Sequence, residues 1–368
     1  MTRRRLIIHM GPPKTGTTAI QSFCHHNRDK LLQAGVLYPA IGNTAAHHAL
    51  SNSLRASANN PARLRGFETM IEQADHHDHE HMLISSEGWI ATLVWQPWGV
   101  EDFCQFWEGR GYDVEFIVCI RDLPAWIESA YAQQVKALSQ PHRFNTYAQR
   151  FLAHTLSGLD IFKAALTPPV KSRALTAIPI PSSSGADLIE NFFAALDLSD
   201  VWRTLDSPAQ DDRNKRPSAF RIEACRRLGR YRAHQFGAAP PGALKWDWGR
   251  IGPMLQVISD ADLEHGWQAR PFRAVTQDWA RRIERRYQAR CDRFARQVWG
   301  KGWRDVIAAK EAFEEPTEYS PATASDADKR QISDAVRAAL RADPVQDTEL
   351  LSKTFSQWPR GPGPRPTE

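Results

Sequence analysis

Apolar residues gather in four short runs along the chain, Leu6 to Met10, Met82 to Ser85, Val114 to Ile120 and Ala174 to Ile180. Each reads as a buried strand, and helix-like sequence separates each run from the next. That alternation predicts an α/β fold with a largely parallel central sheet. After the first run, Ile20, Phe23, Cys24, Asn27 and Leu31 recur at helical spacing, and the pattern stops at Gly35, a residue suited to a helix C-terminus. The first unit is therefore strand, glycine-containing loop, helix. A second helix is predicted after Ile120, with Asp122 as its N-cap, Pro124 in its first turn, and Trp126, Ile127, Ala130, Tyr131 and Gln134 following.

Beyond about residue 200 the strand signal fades. Helical stretches over Phe220 to Tyr231 and Thr276 to Trp299 take over, the latter with Ile283, Tyr287, Cys291 and Phe294 on one stripe. The expected organisation is a core over 1–200, a helical continuation of the same domain over 201–313, and a Pro/Thr/Ser/acid-rich linker over 314–327. A short amphipathic segment over 328–357 with Ile332, Val336 and Leu340, and a disordered tail over 358–368, complete it. No internal repeat is visible.

The 368 residues are 42% hydrophobic and 24% charged, which excludes collagen-like and wholly disordered classes. The net charge of +5 biases the chain toward anionic ligands but is far from that of a nucleic-acid coat. Cys24, Cys104, Cys119, Cys225 and Cys291 are odd in number and contain no CxxC, arguing against a disulfide framework or zinc site and for a reducing cytoplasm. The basic opening is followed by an apolar run too short for an export signal, and no run of about 18 apolar residues offers a membrane span.

The most informative segment is Ile8-His-Met-Gly-Pro-Pro-Lys14-Thr15-Gly16-Thr17-Thr18, which sets a lysine, a glycine and hydroxyls between a strand and a helix N-terminus. Backbone N–H groups there lack helical partners and the helix dipole is positive, so the loop forms an oxyanion cradle for phosphate or sulfate. It is not a Walker A loop, which places Lys directly after its last Gly; here Lys14 precedes Gly16 by two.

The PKTGTT sequence after a first strand resembles the 5′-phosphosulfate loop of the sulfotransferases that use 3′-phosphoadenosine 5′-phosphosulfate (PAPS). The segment Phe116 to Tyr131 resembles the same family's second signature: Arg121 ends the strand, a Pro is near, and Ser129 lies eight residues on. Pro124 stands one residue later than the family's spacing. The resemblance implies a P-loop-like three-layer α/β fold with additional C-terminal helices and PAPS as co-substrate without a metal. It implies that Lys14, Thr15, Gly16, Thr17 and Thr18 hold the 5′-phosphosulfate and that Arg121 and Ser129 hold the 3′-phosphate. Carbohydrate sulfotransferases also carry a glutamate after the second strand as general base, which points to Glu87 in Ser85-Ser86-Glu87-Gly88-Trp89. Cytosolic members use a histidine, for which His48 is the alternative. The acceptor implied is a carbohydrate or small hydroxyl compound. The aromatic that often follows the Thr pair is absent, Ala19 and Ile20 standing there. Gly300-Lys-Gly-Trp303 is a poor match to the family's later Gly-rich loop, and Asn214 and Ser218 resemble a donor-side segment only faintly.

Lys14, Glu87 and Arg121 each follow a strand end, which predicts that they share one cleft at the C-terminal edge of the sheet. Two other readings compete with sulfuryl transfer. A P-loop kinase or NTPase needs a Gly-Lys-Ser/Thr step and a magnesium aspartate; a non-catalytic anion- or glycan-binding module needs only the fold. Three features are discounted. The histidines of DHHDHEH (His76, His77, His79, His81) suit a solvated loop better than a metal. Arg213 to Arg232, with eight basic residues, reads equally as a solvated face or an anion attractor. Trp89, Trp95, Trp98 and Trp107 suit core packing more than sugar stacking.

Overall fold

The computed structural model describes residues 3–42, 44–55, 62–153, 160–180, 186–206, 216–235, 248–308 and 315–343. The expected tail over 358–368 and Asn214 lie outside these. The chain forms two compact units that interleave along the sequence. One comprises Met1–Trp126, His154–Asp211 and Ile283–Glu311; the other comprises Ile127–Ala153, Asp212–Arg282 and Ala312–Glu368.

The first unit is built on a five-stranded, all-parallel sheet of β1 (Arg4–His9), β2 (Val36–Leu37), β3 (His81–Ser85), β4 (Tyr112–Ile120) and β5 (Ala174–Pro179), in the order β2-β3-β1-β4-β5. Four strands fall where the apolar runs predict them. β2 is the addition: two residues that follow the left-handed Gly35 and pair with the start of β3. Two residues carry too little periodicity to be seen in sequence. Alternate side chains of the central strands are buried on both faces. Ile7, Leu83, Ile117, Cys119 and Ile178 meet Ile20, Phe23 and Cys24 of helix Thr17–His26 and Leu188, Phe192 and Phe193 of helix Ala186–Ala194. On the other face Tyr112 packs edge-on against Trp107 of helix Pro97–Gly109. Parallel strands need such cover, because neither face can be left to water.

The helix predicted through Leu31 breaks at Asn27, giving Thr17–His26 and Arg28–Gln33. The Asn27 amide donates to the Phe23 carbonyl at 3.1 Å, and its Oδ1 accepts from Asp206 N–H at 2.8 Å, so the side chain competes with the helix for backbone partners.

In the second unit, helices Ala219–Gln235, Trp248–Glu264 and Asp326–Arg341 pack on one another, burying Leu228, Ile258, Ile332, Val336 and Leu340. Ser325 caps the last of these in a reciprocal box with Asp328. Of the linker expected over 314–327, residues 315–325 have no helix or strand but are anchored within this unit, and residues 326–327 instead open helix Asp326–Arg341. Glu318 accepts from Phe144 N–H at 3.2 Å, and Arg143 donates to the Tyr319 carbonyl at 3.0 Å. Among the described residues no helix is long and apolar enough to cross a membrane.

Candidate active site

β1 is central, and the chain leaves it toward β2 and β3 on one side before returning to β4 and β5 on the other. The loop after β1 therefore sits at the topological switch point, where an open parallel sheet leaves a crevice. Pro12 and Pro13 stop the strand there. The loop is held by its carbonyls: Thr15 Oγ1 donates to Pro12 O at 2.7 Å, Trp126 Nε1 donates to Pro13 O at 2.7 Å, and Arg121 Nη1 reaches Lys14 O at 3.5 Å. With the carbonyls engaged from behind, the amides are left over. Among the described residues no acceptor takes the N–H of Lys14, Gly16, Thr17 or Thr18, while the turn at Pro13 and Lys14 brings Thr15 N–H back to Pro12 O. Four unpartnered donors around a helix N-terminus are a ready anion cradle.

Gly16 caps the helix with φ +81°, and a Cβ built there would lie 2.0 Å from Leu188 Cδ2. The left-handed backbone favours glycine here, and any Cβ would also have to displace the end of the Leu188 side chain. Lys14 is the less expected residue, because it holds φ +70° although it has a Cβ. A non-glycine residue in the left-handed region costs about 1–3 kcal/mol and is retained where the surroundings over-determine it. Thr17 is buried, and its Oγ1 donates to Pro12 O at 3.3 Å, so its hydroxyl closes the loop from within.

Glu87 lies at the N-cap position of helix Gly88–Trp95, yet its side chain makes no capping bond. Ser86 Oγ does that work instead, accepting from Gly88 N–H at 3.0 Å. Burial raises the Glu87 pKa and Lys14 pulls it back down; burial lowers the Lys14 pKa, with Glu87 opposing and Arg121 reinforcing the shift. Lys14 thus interacts electrostatically with both Glu87 and Arg121, the three following the ends of the neighbouring strands β1, β3 and β4.

His48, the alternative base, opens helix His48–Ser53 with its Nδ1 2.8 Å from Ser86 Oγ, which is itself 2.7 Å from Ser51 Oγ. Partial burial lowers the His48 pKa. When Ser86 donates to Ser51, and Ser51 to the His48 carbonyl at 3.2 Å, His48 donates from Nδ1 and presents a bare Nε2. Arg121 ends β4 in the first unit. Ser129, its expected partner, is half-buried on helix Leu123–Lys136 and belongs to the second unit.

Several residues that build the site carry no sequence signal. His47 is buried between Ser85 and Pro39, accepting from Ser85 N–H at Nδ1 and donating from Nε2 to Pro39 O, each at 2.8 Å. Buried His9, at the end of β1, places Nδ1 2.8 Å from Ser85 Oγ, and burial lowers its pKa to about 3. Arg304 donates to Asp122, the neighbour of Arg121, at 2.8 Å. Asp122 stands where its N-cap is predicted, directly before helix Leu123–Lys136 with its carbonyl accepting from Trp126 N–H at 2.9 Å, and its carboxylate also holds this guanidinium. Of the clustered histidines, His79 uses both ring nitrogens within the protein, toward His77 O and Tyr112 Oη, each at 2.8 Å. Ser218 Oγ donates to buried Asp262 at 2.5 Å. Among the four tryptophans after Glu87, Trp89 and Trp107 are core residues while Trp95 and Trp98 are exposed.

No family model matches this chain, and no curated protein matches it.

Proposed function

We propose that the protein is a sulfotransferase with a P-loop-like three-layer core, moving a sulfuryl group from PAPS to a hydroxyl of a carbohydrate or carbohydrate-bearing acceptor. The observation that carries this reading is the loop with the unpartnered N–H groups of Lys14, Gly16, Thr17 and Thr18, with the uncapped Glu87 carboxylate in the electrostatic field of Lys14. The donor set fits a phosphosulfate: consecutive amides and an ammonium suit a spread anionic charge, and Arg121 adds a guanidinium at the next strand end.

PAPS supplies an activated sulfur whose leaving group is a phosphate. Glu87 takes the proton from the acceptor hydroxyl as its oxygen bonds to sulfur, and the raised pKa of Glu87 makes it a better base than an exposed carboxylate. As the bond between sulfur and the bridging oxygen breaks, the electron pair passes to the 5′-phosphate, where Lys14 and the loop amides offset the growing charge. The products are a sulfate ester and 3′-phosphoadenosine 5′-phosphate. Asp122, the acid at the end of β4, is paired with Arg304 rather than set toward the loop, which favours this reading over a magnesium-dependent kinase.

The test is incubation of the full chain with radiolabelled PAPS and a panel of glycans and small hydroxyl compounds, alongside calorimetry with 3′-phosphoadenosine 5′-phosphate and ATP. Labelled product, and tighter binding of the bisphosphate than of ATP, are expected. Tighter ATP binding with a magnesium requirement moves the protein to the kinase class; donor binding without product on any acceptor makes it a binding module.

A further inference from the structure

The helix that begins after Glu87 and the helix that begins with His48 leave the cleft side by side in the same direction. Three contacts fix this: His48 with Ser86 at 2.8 Å, the Thr92 hydroxyl donating to Ser51 O at 2.9 Å, and the Gln96 amide donating to Arg55 O at 3.1 Å. Their far ends meet at the elbow Trp95-Gln96-Pro97-Trp98, about 12 Å from the cleft for eight residues of helix. At this elbow Trp95 is 74% exposed and Trp98 51% exposed. Indoles are among the most costly side chains to leave in water, so two of them at one turn point to a ligand.

The surface joining the elbow to the cleft is polar. His48 and Asn52 are exposed at positions i and i+4 of helix His48–Ser53, and Arg55, exposed in the turn after it, donates to Asn52 at the elbow end. A ladder of hydrogen-bonding side chains ending in flat aromatic faces does not match a protein partner, which would call for a continuous apolar core. It matches a sugar chain: hydroxyls meet the ladder, and the apolar C–H face of a pyranose lies on the electron-rich face of an indole. From this we infer that Trp95 and Trp98 form a stacking subsite for a non-reacting sugar of the acceptor, so that the acceptor is an oligosaccharide or polysaccharide chain rather than a single sugar or small alcohol. The inference rests on the sulfotransferase reading for its orientation, with the reacting hydroxyl at Glu87.

Binding can be measured without donor, by saturation-transfer NMR and tryptophan fluorescence of the full chain with the hexasaccharides of cellulose, chitin and chondroitin, and with glucose. At least one hexasaccharide is expected to bind more tightly than glucose. Trp95→Ala/Trp98→Ala is expected to weaken that hexasaccharide about tenfold, as for the loss of two stacking rings, with glucose unchanged. Trp95→Phe should retain most of the affinity, and circular dichroism should show the double variant folded, since both rings are on the surface. The inference fails if no hexasaccharide binds better than glucose, or if the double variant binds as the parent does. It fails equally if the parent is dimeric by light scattering and the double variant monomeric, which would make the elbow a contact between two copies. Glycan binding at the elbow without sulfate transfer would overturn the proposed activity and leave the subsite standing; transfer to glucose and hexasaccharide alike would do the reverse.

Discussion

His47 and Ser85 exchange two hydrogen bonds: the His47 amide donates to the Ser85 carbonyl, and the Ser85 amide donates to His47 Nδ1, each at 2.8 Å. This reciprocal pair ties the segment before helix His48–Ser53 to the end of β3. It thereby sets His48 and Ser86, which follow the two partners directly, within hydrogen-bond distance of one another, with Glu87 next along the chain.

Replacing His47 with Ala leaves the Ser85 N–H buried without its acceptor, and a loss of about 1–3 kcal/mol is expected in urea denaturation. The pH dependence should change as well. Burial lowers the His47 pKa to about 4, so the unfolded chain takes up a proton first as pH falls below about 6.5. This contribution to stability is complete above that pH and is lost as the pH drops toward 4. His47→Ala should flatten the acid limb of the stability profile without abolishing its slope, because His9 titrates with the same sign.

Glu87→Gln is expected to lower turnover by about 10²–10⁴-fold while sparing donor affinity, the usual worth of a general base. Its effect on stability should be opposite. The folded pKa is raised, so the native state holds the proton longer and Glu87 costs stability once pH passes its unfolded value near 4.5. The variant should melt higher than the parent at neutral pH and equally at pH 3. A lower melting temperature at pH 7 would assign Glu87 to capping. Turnover that survives Glu87→Gln but collapses in His48→Ala would transfer the base to His48.

The loop after β1 separates stability from function at two positions on either side of Thr15. Lys14→Gly removes a left-handed side chain and should stabilise the fold by about 1 kcal/mol while abolishing tight donor binding. Gly16→Ala should destabilise it by about 1–3 kcal/mol, and Leu188→Ala should not rescue it fully, because making room for the Cβ leaves φ +81° unchanged. Complete rescue would show that the clash alone matters. Thermal melts of the three variants decide this.

Arg304→Gln leaves the largely buried Asp122 carboxylate without its cation. Arg304 is itself 36% exposed, so screening limits the expected loss to about 1–2 kcal/mol. Adding Asp122→Asn should recover part of it, and a double-mutant cycle measured by denaturation gives the coupling directly. A coupling of zero would mean that the pair contributes nothing to holding the end of β4.

The four long strands, their parallel arrangement and the strand-loop-helix unit at residues 4–26 were legible in the chain, because buried parallel strands are continuous apolar runs and a helix start needs a turn. Lys14, Glu87 and Arg121 were legible as strand-end residues for the same reason. That they share one edge of the sheet follows from the same reading; the order β3-β1-β4, a property of pairing between strands far apart in sequence, came only from the tertiary structure. The two-residue β2, the break at Asn27 and the role of His47 were hidden because each depends on a partner distant along the chain: Ser85 for His47, residue 206 for Asn27, the start of β3 for β2. The tryptophans make the point most directly. Four followed Glu87 with equal claims, and nothing local distinguished them. Packing against the sheet and its helices drew Trp89 and Trp107 inside and left Trp95 and Trp98 at the helix elbow, because a helix face becomes core only when a neighbouring element is there to cover it.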